Sequence, residues 1–355
     1  MADLTPTFKP FIDGSDVSPN QKEIVTAPLW SKSQASLISV FTSSAQSANQ
    51  KRYYYEVFNS QSNIQGAEAQ FSVAYGDLVG SGSSTGSADQ NLYDYPTKAV
   101  YTQYRQLLLP ANQTSFTFEN GESSEHIYVV NVNRARFKDK VDTKTWQLTI
   151  GKLNAAGSAS ISTGADIITL IDDSTASTTE FAQQGGRVYN VRSGSITNGI
   201  YTADTTPWGL FYPDNGIILL NGKALDASAS FNTKRTPATA SGETNALRMF
   251  TSISGAISYN TSSNAFQGRT SEAISSTYYF VRLFNGEYNY SNNPSFYSGS
   301  SAKLKYDSMK LNPQTYVTSV GLYDDDQQLL AVAKLSKPVR KSFDRELVIK
   351  VKLDY

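Results

Sequence analysis

Residues 316–355 read YVTSVGLYDDDQQLLAVAKLSKPVRKSFDRELVIKVKLDY, and this stretch decides the fold class. Residues 316–323 are rich in β-branched and aromatic side chains, 328–335 form a second apolar run, and an acidic turn at 324–327 separates the two. Apolar and polar residues then alternate in 346–353, which is typical of a strand with one buried face. The segment predicts a β-hairpin followed by a third strand.

Strand patterns of this kind recur along most of the chain. Further strands are predicted at residues 53–59, 71–76, 116–153 (three strands in an antiparallel meander), 166–173, 185–195, 209–221 and 276–284. Within 209–221, a Pro-Asp-Asn-Gly turn lies between two apolar runs, which is a strong hairpin signal. We interpret Asp172, Asp173 and Asp214 as turn residues.

Helical periodicity is confined to two places. Residues 97–109 predict a helix whose apolar face combines Val100, Tyr104, Leu107 and Leu108. Thr97 is the expected N-cap and Pro110 ends the helix. A second, short helix is predicted at 246–250, whereas 255–275 has the polar composition of a loop.

The composition supports a β-rich protein with polar surfaces. Tyr (22) and Phe (17) are abundant, charged residues make up 17%, and Ser, Thr, Asn and Gly are frequent. Aromatic and β-branched residues suit pleated surfaces, and small polar residues suit turns. The predicted fold class is mainly β (α+β), with antiparallel sheets, long loops and one or two short helices.

Shifts in composition suggest four regions. They are an N-terminal extended arm at 1–50, a first β-rich lobe with one helix at 51–155, a second β-rich lobe at 156–300, and a C-terminal hairpin and sheet at 301–355 that closes the fold. The boundary between the lobes is placed at a polar stretch that follows residue 155.

Candidates for chemistry are few. The chain has no Cys, which excludes disulfides and Cys-ligated zinc, and one His, His126, which begins an apolar strand. The acidic triplet Asp324-Asp325-Asp326 lacks the spacing of a calcium loop, so a solvated turn is the favoured interpretation. We expect a protein that is not an enzyme, without catalytic, cofactor-binding or metal residues. A glycoside hydrolase stays open in principle, because two facing carboxylates leave no spacing signature.

Charge and hydropathy bear on partners. The formal net charge is +0, and the cluster Arg134, Arg136, Lys138, Lys140 fits one face of a strand, so no nucleic-acid partner is expected. The chain shows no secretory signal and no run of about 18 apolar residues. We therefore expect synthesis in a cytoplasm and no membrane insertion.

The C-terminal pattern resembles structural tail and baseplate wedge proteins of T-even-like contractile-tailed bacteriophages. In that pattern a strand ending in Gly-Leu-Tyr leads to an acidic turn, a Leu-Leu-Ala-Val strand, a Lys-Pro step and a final alternating strand. The matching positions are Val320, Gly321, Leu322, Tyr323, Leu329, Leu330, Ala331, Val332, Lys337, Pro338 and residues 347–353. Segments 70–83, 96–109, 126–142, 209–221 and 275–296 are similar to virion proteins of the same phages.

The resemblance implies a virion position in a phage tail or baseplate, with other tail proteins as partners, several copies per particle and no cofactor. The candidate assembly surface comprises Val320, Gly321, Leu322, Tyr323, Leu329, Leu330, Pro338 and Tyr355. Two other functions stay open: a tail-fibre or receptor-binding module that recognises host surface glycans, and a neck or tail-completion protein.

Overall fold

The computed structural model describes residues 8–12, 14–42, 54–61, 64–80, 97–175, 181–196, 200–201, 206–233, 235, 242–259, 266–291, 293–298 and 303–355. The protein is mainly β, with antiparallel sheets and short helices, as the sequence predicts. The chain forms two compact units: a large unit, Val25–Glu272, and a small unit, which combines Met1–Ile24 with Ala273–Tyr355. The predicted boundary near residue 155 therefore falls inside the large unit.

The strands of the first half are β1 (Val17–Pro28), β2 (Ser36–Leu37), β3 (Phe41–Thr42), β4 (Tyr54–Phe58), β5 (Ala69–Asp77), β6 (Phe116–Thr117), β7 (Ser123–Ser124), β8 (His126–Val132), β9 (Lys140–Val141), β10 (Gln147–Gly151) and β11 (Ile167–Asp172). Those of the second half are β12 (Phe181–Gln183), β13 (Gly186–Ser195), β14 (Ile200–Tyr201), β15 (Gly209–Tyr212), β16 (Ile217–Asn221), β17 (Phe266–Gln267), β18 (Arg269–Leu283), β19 (Tyr297–Ser298), β20 (Lys303–Leu304), β21 (Gln314–Tyr323), β22 (Leu329–Ser342) and β23 (Leu347–Asp354). The helices are α1 (Thr97–Leu108), α2 (Gly222–Ala229), α3 (Gly242–Tyr259) and α4 (Ser308–Leu311).

One curled sheet dominates the large unit. Its strand order is β2-β17-β10-β11-β13-β15-β16-β8-β5-β4-β3, and every pair along it is antiparallel. The first and last strands, β2 and β3, are separated in sequence by residues 38–40. Such a connection spans at most about 14 Å, so the sheet bends round until its two ends meet. Curling removes most of the open edge that a sheet of this width would otherwise expose.

Helix α3 fills the inside of the curl. It packs against β10 and also against β4 and β5, which lie near opposite ends of the strand order. Ala246, Met249 and Ile253 recur at helical spacing and are fully buried in the main core. The same core takes one face of the strands, including Leu148 and Ile150 of β10. The buried side of α3 therefore fills the apolar interior of the curl.

The outer face of the central strands is also buried. In β8, Tyr128, Val130 and Val132 point into the main core, whereas Ile127 and Val129 belong to a second core with Tyr101 and Leu108 of α1. This double burial explains why residues 126–132 are apolar almost without interruption. At Gly76 of β5, a Cβ would lie 2.9 Å from the backbone of Tyr101, so glycine permits the close approach of α1.

The small unit is a two-layer arrangement. One layer is the sheet β1-β18-β23, in which β18 and β23 pair from Ser276↔Asp354 to Leu283↔Leu347. The other is the hairpin β21–β22. Leu322, Ile349 and Val351 are the buried centre between them. The last strand therefore pairs with β18, about 70 residues earlier in the chain, and not with the hairpin beside it in sequence.

Several sequence predictions need correction. The region predicted as an arm, 1–50, contains β1, β2 and β3 among its described residues. The three strands predicted within 116–153 form no meander, because β8 lies between β5 and β16 while β10 lies between β11 and β17. The basic cluster is not one strand face: Arg134–Arg136 is a 3-10 turn and only Lys140 is in a strand.

The helix predictions are met unevenly. Helix α1 has the predicted bounds within a residue, but the Thr97 hydroxyl is buried without a hydrogen-bond partner, so it does not cap the helix. Helix α3 extends far beyond the predicted 246–250, to Tyr259, and strand β18 begins within the region predicted as a loop. Ser, Thr and Gly in this helix reduce its apolar contrast, and burial inside the curl compensates for their weak helix propensity.

Candidate assembly surface

The turn of the C-terminal hairpin is held by Asp324. Its carboxylate Oδ1 accepts a hydrogen bond from the backbone N–H of Gln328 at 2.7 Å, and its backbone pairs with Gln327 and Gln328. Gln327 has φ of 63°, a left-handed conformation that a tight turn requires. Asp325 and Asp326 are exposed beside it. The acidic triplet is thus a hairpin turn, as predicted.

Two of the residues predicted for the assembly surface, Val320 and Leu322, lie on the inner face of the hairpin. Leu322 is 6% exposed and lies in the small unit's core, and Val320 packs against that core. Ala331 and Ala333, which lie opposite them in β22, face the same way. Leu322 is buried and the other three side chains are partly buried, so this face stabilises the small unit.

The outer face carries an exposed apolar cluster, the outer patch, which comprises Gly321, Tyr323, Leu329, Leu330 and Val332. Gly321 pairs with Val332, and Tyr323 pairs with Leu329. Four side chains are strongly exposed: Tyr323 by 44%, Leu329 by 53%, Leu330 by 68% and Val332 by 62%. A contiguous cluster of this kind marks an interaction site more often than scattered single residues do.

Gly321 gives the outer patch its shape. A Cβ at this position would lie 2.9 Å from the ring of Tyr323 and 3.2 Å from Cδ1 of Leu329. Both side chains therefore lie over the bare backbone of β21 and form one continuous surface. The ring of Phe8 meets Tyr323 edge-on at 4.9 Å between centroids and extends the apolar area.

The remaining predicted residues lie elsewhere in the small unit. Pro338 is exposed in β22, within the register shift between the pairs Ser319↔Lys334 and Val317↔Val339, where proline's missing N–H is tolerated. Tyr355 follows β23 in the other layer, and its hydroxyl lies 3.2 Å from Oγ1 of Thr277. The structure therefore brings Gly321, Tyr323, Leu329 and Leu330 together, and leaves Pro338 and Tyr355 outside the patch.

Val332 was missed as a site residue by the sequence analysis. Its signal was present, because it alternates with Ala331 and Ala333 in a strand whose inner face is buried.

The edges of the hairpin are a second feature that sequence does not reveal. Among the described residues, β21 and β22 pair with each other and with no other strand. Backbone N–H and C=O groups along β22 are thus open to another strand.

Lys341 anchors the base of the hairpin. It is fully buried, and its Nζ donates to the backbone oxygen of Asn285, to Oδ1 of Asn289 and to the backbone oxygen of Ser342 at 3.0–3.1 Å. Burial lowers the pKa of Lys341, against the opposing effect of nearby acidic groups such as Glu287. The base is rigidly held while the outer half of the hairpin stays exposed.

The single histidine belongs to a buried polar cluster of the large unit. His126 is 2% exposed, and its Nε2 lies 3.1 Å from Oδ2 of Asp226. Asp226 also accepts from the backbone and hydroxyl of Thr233 at 2.8 and 2.6 Å. Burial works to raise the pKa of Asp226, but the hydrogen bonds from His126 and Thr233 outweigh it and hold the pKa below its usual value.

The geometry of this cluster is that of a structural hydrogen-bond network and not of a catalytic site. The other ring nitrogen of His126, Nδ1, is buried without a hydrogen-bond partner, so no hydroxyl nucleophile is placed against it. A Cβ on Gly222 would lie 2.0 Å from the His126 ring, which shows how tightly the ring is enclosed. Within the described ranges, no group of three or more His, Cys, Asp or Glu is arranged to hold a metal ion.

A second buried acid lies close to the same end of β8. Asp77 binds Arg235 through two hydrogen bonds of 2.9 and 3.1 Å and accepts a third from the hydroxyl of Tyr75 at 3.0 Å. Burial raises the pKa of Tyr75, so its hydroxyl stays protonated and donates. These contacts leave the Asp77 carboxylate fully engaged.

Comparison with protein-family models, with curated proteins and with solved structures finds no match to this chain. In the part of the chain that the structure describes, none of the helices has the length and apolar character needed to cross a membrane.

Proposed function

We propose that the chain is a structural virion component of a phage contractile tail, a baseplate wedge protein that assembles with neighbouring tail proteins and transmits their rearrangement on infection. The observation that carries the proposal is the outer patch on a hairpin that pairs with no other strand among the described residues. Its residues are the same ones on which the sequence resembles tail and baseplate proteins.

The patch is an unusual surface for a protein that works alone. Natural proteins protect free strand edges with charges, proline or short strands. In β22 such protection is found in the half that holds Lys334, Lys337 and Pro338, whereas residues 329–333 contain none. A free edge and exposed Leu and Val side chains in the same five residues favour a surface that another chain covers.

A second candidate function, glycan recognition, has one observation in its favour. A groove of about 440 Å³ runs beside α1, between that helix and strands β4, β5 and β8. Tyr54 and Tyr104 line it together with the amides of Gln103 and Asn131. Aromatic faces combined with amides suit sugar rings and their hydroxyls, and the volume is in the range of small-ligand sites.

Mass spectrometry of purified virions, separated into intact tails and isolated baseplates, tests the proposed function. We expect the chain in baseplates at a fixed stoichiometry to other wedge components. If it is missing from purified particles, the structural assignment is wrong. Binding of the purified protein to host-surface glycans, lost in a Tyr104→Ala variant, would then support the second candidate.

A further inference from the structure

The hairpin that carries the outer patch has opposite charges at its two ends. Asp324, Asp325 and Asp326 form the turn, and three bases that reach solvent, Lys334, Lys337 and Arg340, follow in the second half of β22. Residues 329–333, which lie between them, carry no charge, and neither does β21. The acidic turn, the apolar residues and the basic residues thus follow one another along the chain from the turn into β22.

This order makes the strand complementary to itself. If two copies of β22 lie antiparallel with Ala331 opposite Ala331, Gln328, the residue before β22, lies opposite Lys334 of the second copy. Leu329 and Leu330 then lie opposite Ala333 and Val332 of the other copy, and the acidic turn of each copy extends towards Lys334 and Lys337 of the other. A parallel arrangement would bring acid against acid, which is unfavourable.

We propose that two copies of this chain associate through β22, in a two-fold arrangement in which the strand edges pair and the outer patches adjoin. The inference deepens the proposed function, on which it rests, because it names a second copy as the partner of the same surface. A two-fold interface must be complementary to itself, and a strand with acids before an apolar centre and bases after it meets that requirement.

The size of the surface sets the expected strength. The uncharged part of β22 is five residues long, or about 17 Å. A contact along so short a strand buries less area than the roughly 800 Å² per partner of a stable interface. We therefore expect a dimer that dissociates on dilution and weakens as salt screens the charge pairs.

Charge reversal gives the sharpest test, with mass measured by light scattering or sedimentation of the full chain at concentrations up to about 200 µM. The tip-reversed variant carries Asp324→Lys, Asp325→Lys and Asp326→Lys. The stem-reversed variant carries Lys334→Glu, Lys337→Glu and Arg340→Glu. We expect the wild type to dimerise and each variant alone to dimerise at least about tenfold more weakly.

Mixing the two variants restores complementarity. The positive tip and stem of one chain then face the negative stem and tip of the other, so an equimolar mixture should form a heterodimer with near wild-type strength. A control with Lys303→Glu and Lys305→Glu, two exposed bases outside the hairpin, should dimerise like the wild type. Far-UV circular dichroism checks that each variant is folded.

A wild type that stays monomeric, or reversed variants that dimerise unchanged, would overturn the inference. Neither result bears on the virion experiment. A monomeric protein that is present in baseplates contradicts the proposed dimer and leaves the proposed function standing. A dimeric protein that is absent from virions contradicts the proposed function and leaves the dimer standing.

Discussion

At the scale of single residues, the most constrained groups are buried polar side chains. Asp226 of α2 joins β8 to the segment that follows α2, since it contacts His126 of β8 and Thr233 of that segment. The hydroxyl of Thr233 lies 2.8 Å from that of Tyr128, which continues the network into the main core. Removal of one member leaves the others buried without partners, which costs more than the net value of one hydrogen bond.

We expect Asp226→Asn to lower the free energy of unfolding at neutral pH by about 2 kcal/mol. Because the pKa of Asp226 is lowered on folding, its carboxylate stabilises the protein above the unfolded-state pKa, and this contribution is lost as pH falls through the folded-state value. The difference between wild type and variant should therefore shrink as pH falls below the usual pKa of an aspartate.

Urea denaturation across this pH range measures the effect. Glu122→Gln is the matched control, since it neutralises an acid outside this network. A difference that stays constant with pH would show that the Asp226 charge contributes nothing.

At the scale of elements, α3 is the helix on which the large unit depends. Its apolar side chains meet strands from both ends of the curled sheet. Its exposed side is polar apart from residues such as Leu247, which is 41% exposed. Leu247 and Met249, which are similar in size and lie on the same helix, therefore have very different surroundings.

We expect Met249→Ala to destabilise the large unit by about 3 kcal/mol, because it opens a cavity among side chains that cannot all relax. Leu247→Ala on the same helix should cost about 0.5 kcal/mol, since it removes exposed surface. Chemical denaturation of both variants compares them directly. Equal losses would mean that α3 does not fill the interior of the curl.

At the scale of the whole molecule, the division into two units is the main finding. Each unit has its own apolar centre, and the small unit combines the N-terminal residues with the C-terminal third of the chain. Separate cores open separately when their stabilities differ. The small unit's core is the smaller of the two, so we expect it to open first.

Hydrogen exchange of an Ile349→Ala variant tests this expectation. Ile349 is 8% exposed in the small unit's core, and its loss should speed exchange of amides in β21, β22 and β23 by at least about tenfold while β8 and β10 are unchanged. The control is Val348→Ala, next to it in the same strand but 57% exposed. Equal acceleration in β8 would show that the two units unfold as one.

The candidate site was predictable in part. The turn residues Asp324 to Gln327 and the strands on either side are local features, and local chemistry identified them. The face of each residue was harder to predict, because Val320 and Leu322 have the same character as Leu329 and Leu330. Two faces of one hairpin differ only in what packs against them, and that partner, β23 on β18, is distant in sequence.

The sequence by itself determined the mainly β class, the helix α1 and the two clearest hairpins, because alternation and turn residues act over a few neighbouring positions. Tertiary structure alone decided that β8 lies between β5 and β16, that β23 pairs with β18, and that α3 packs against strands near both ends of the curled sheet. The physical reason is that an apolar pattern states that a face is buried but not against which element. That choice is made by the packing of the entire unit.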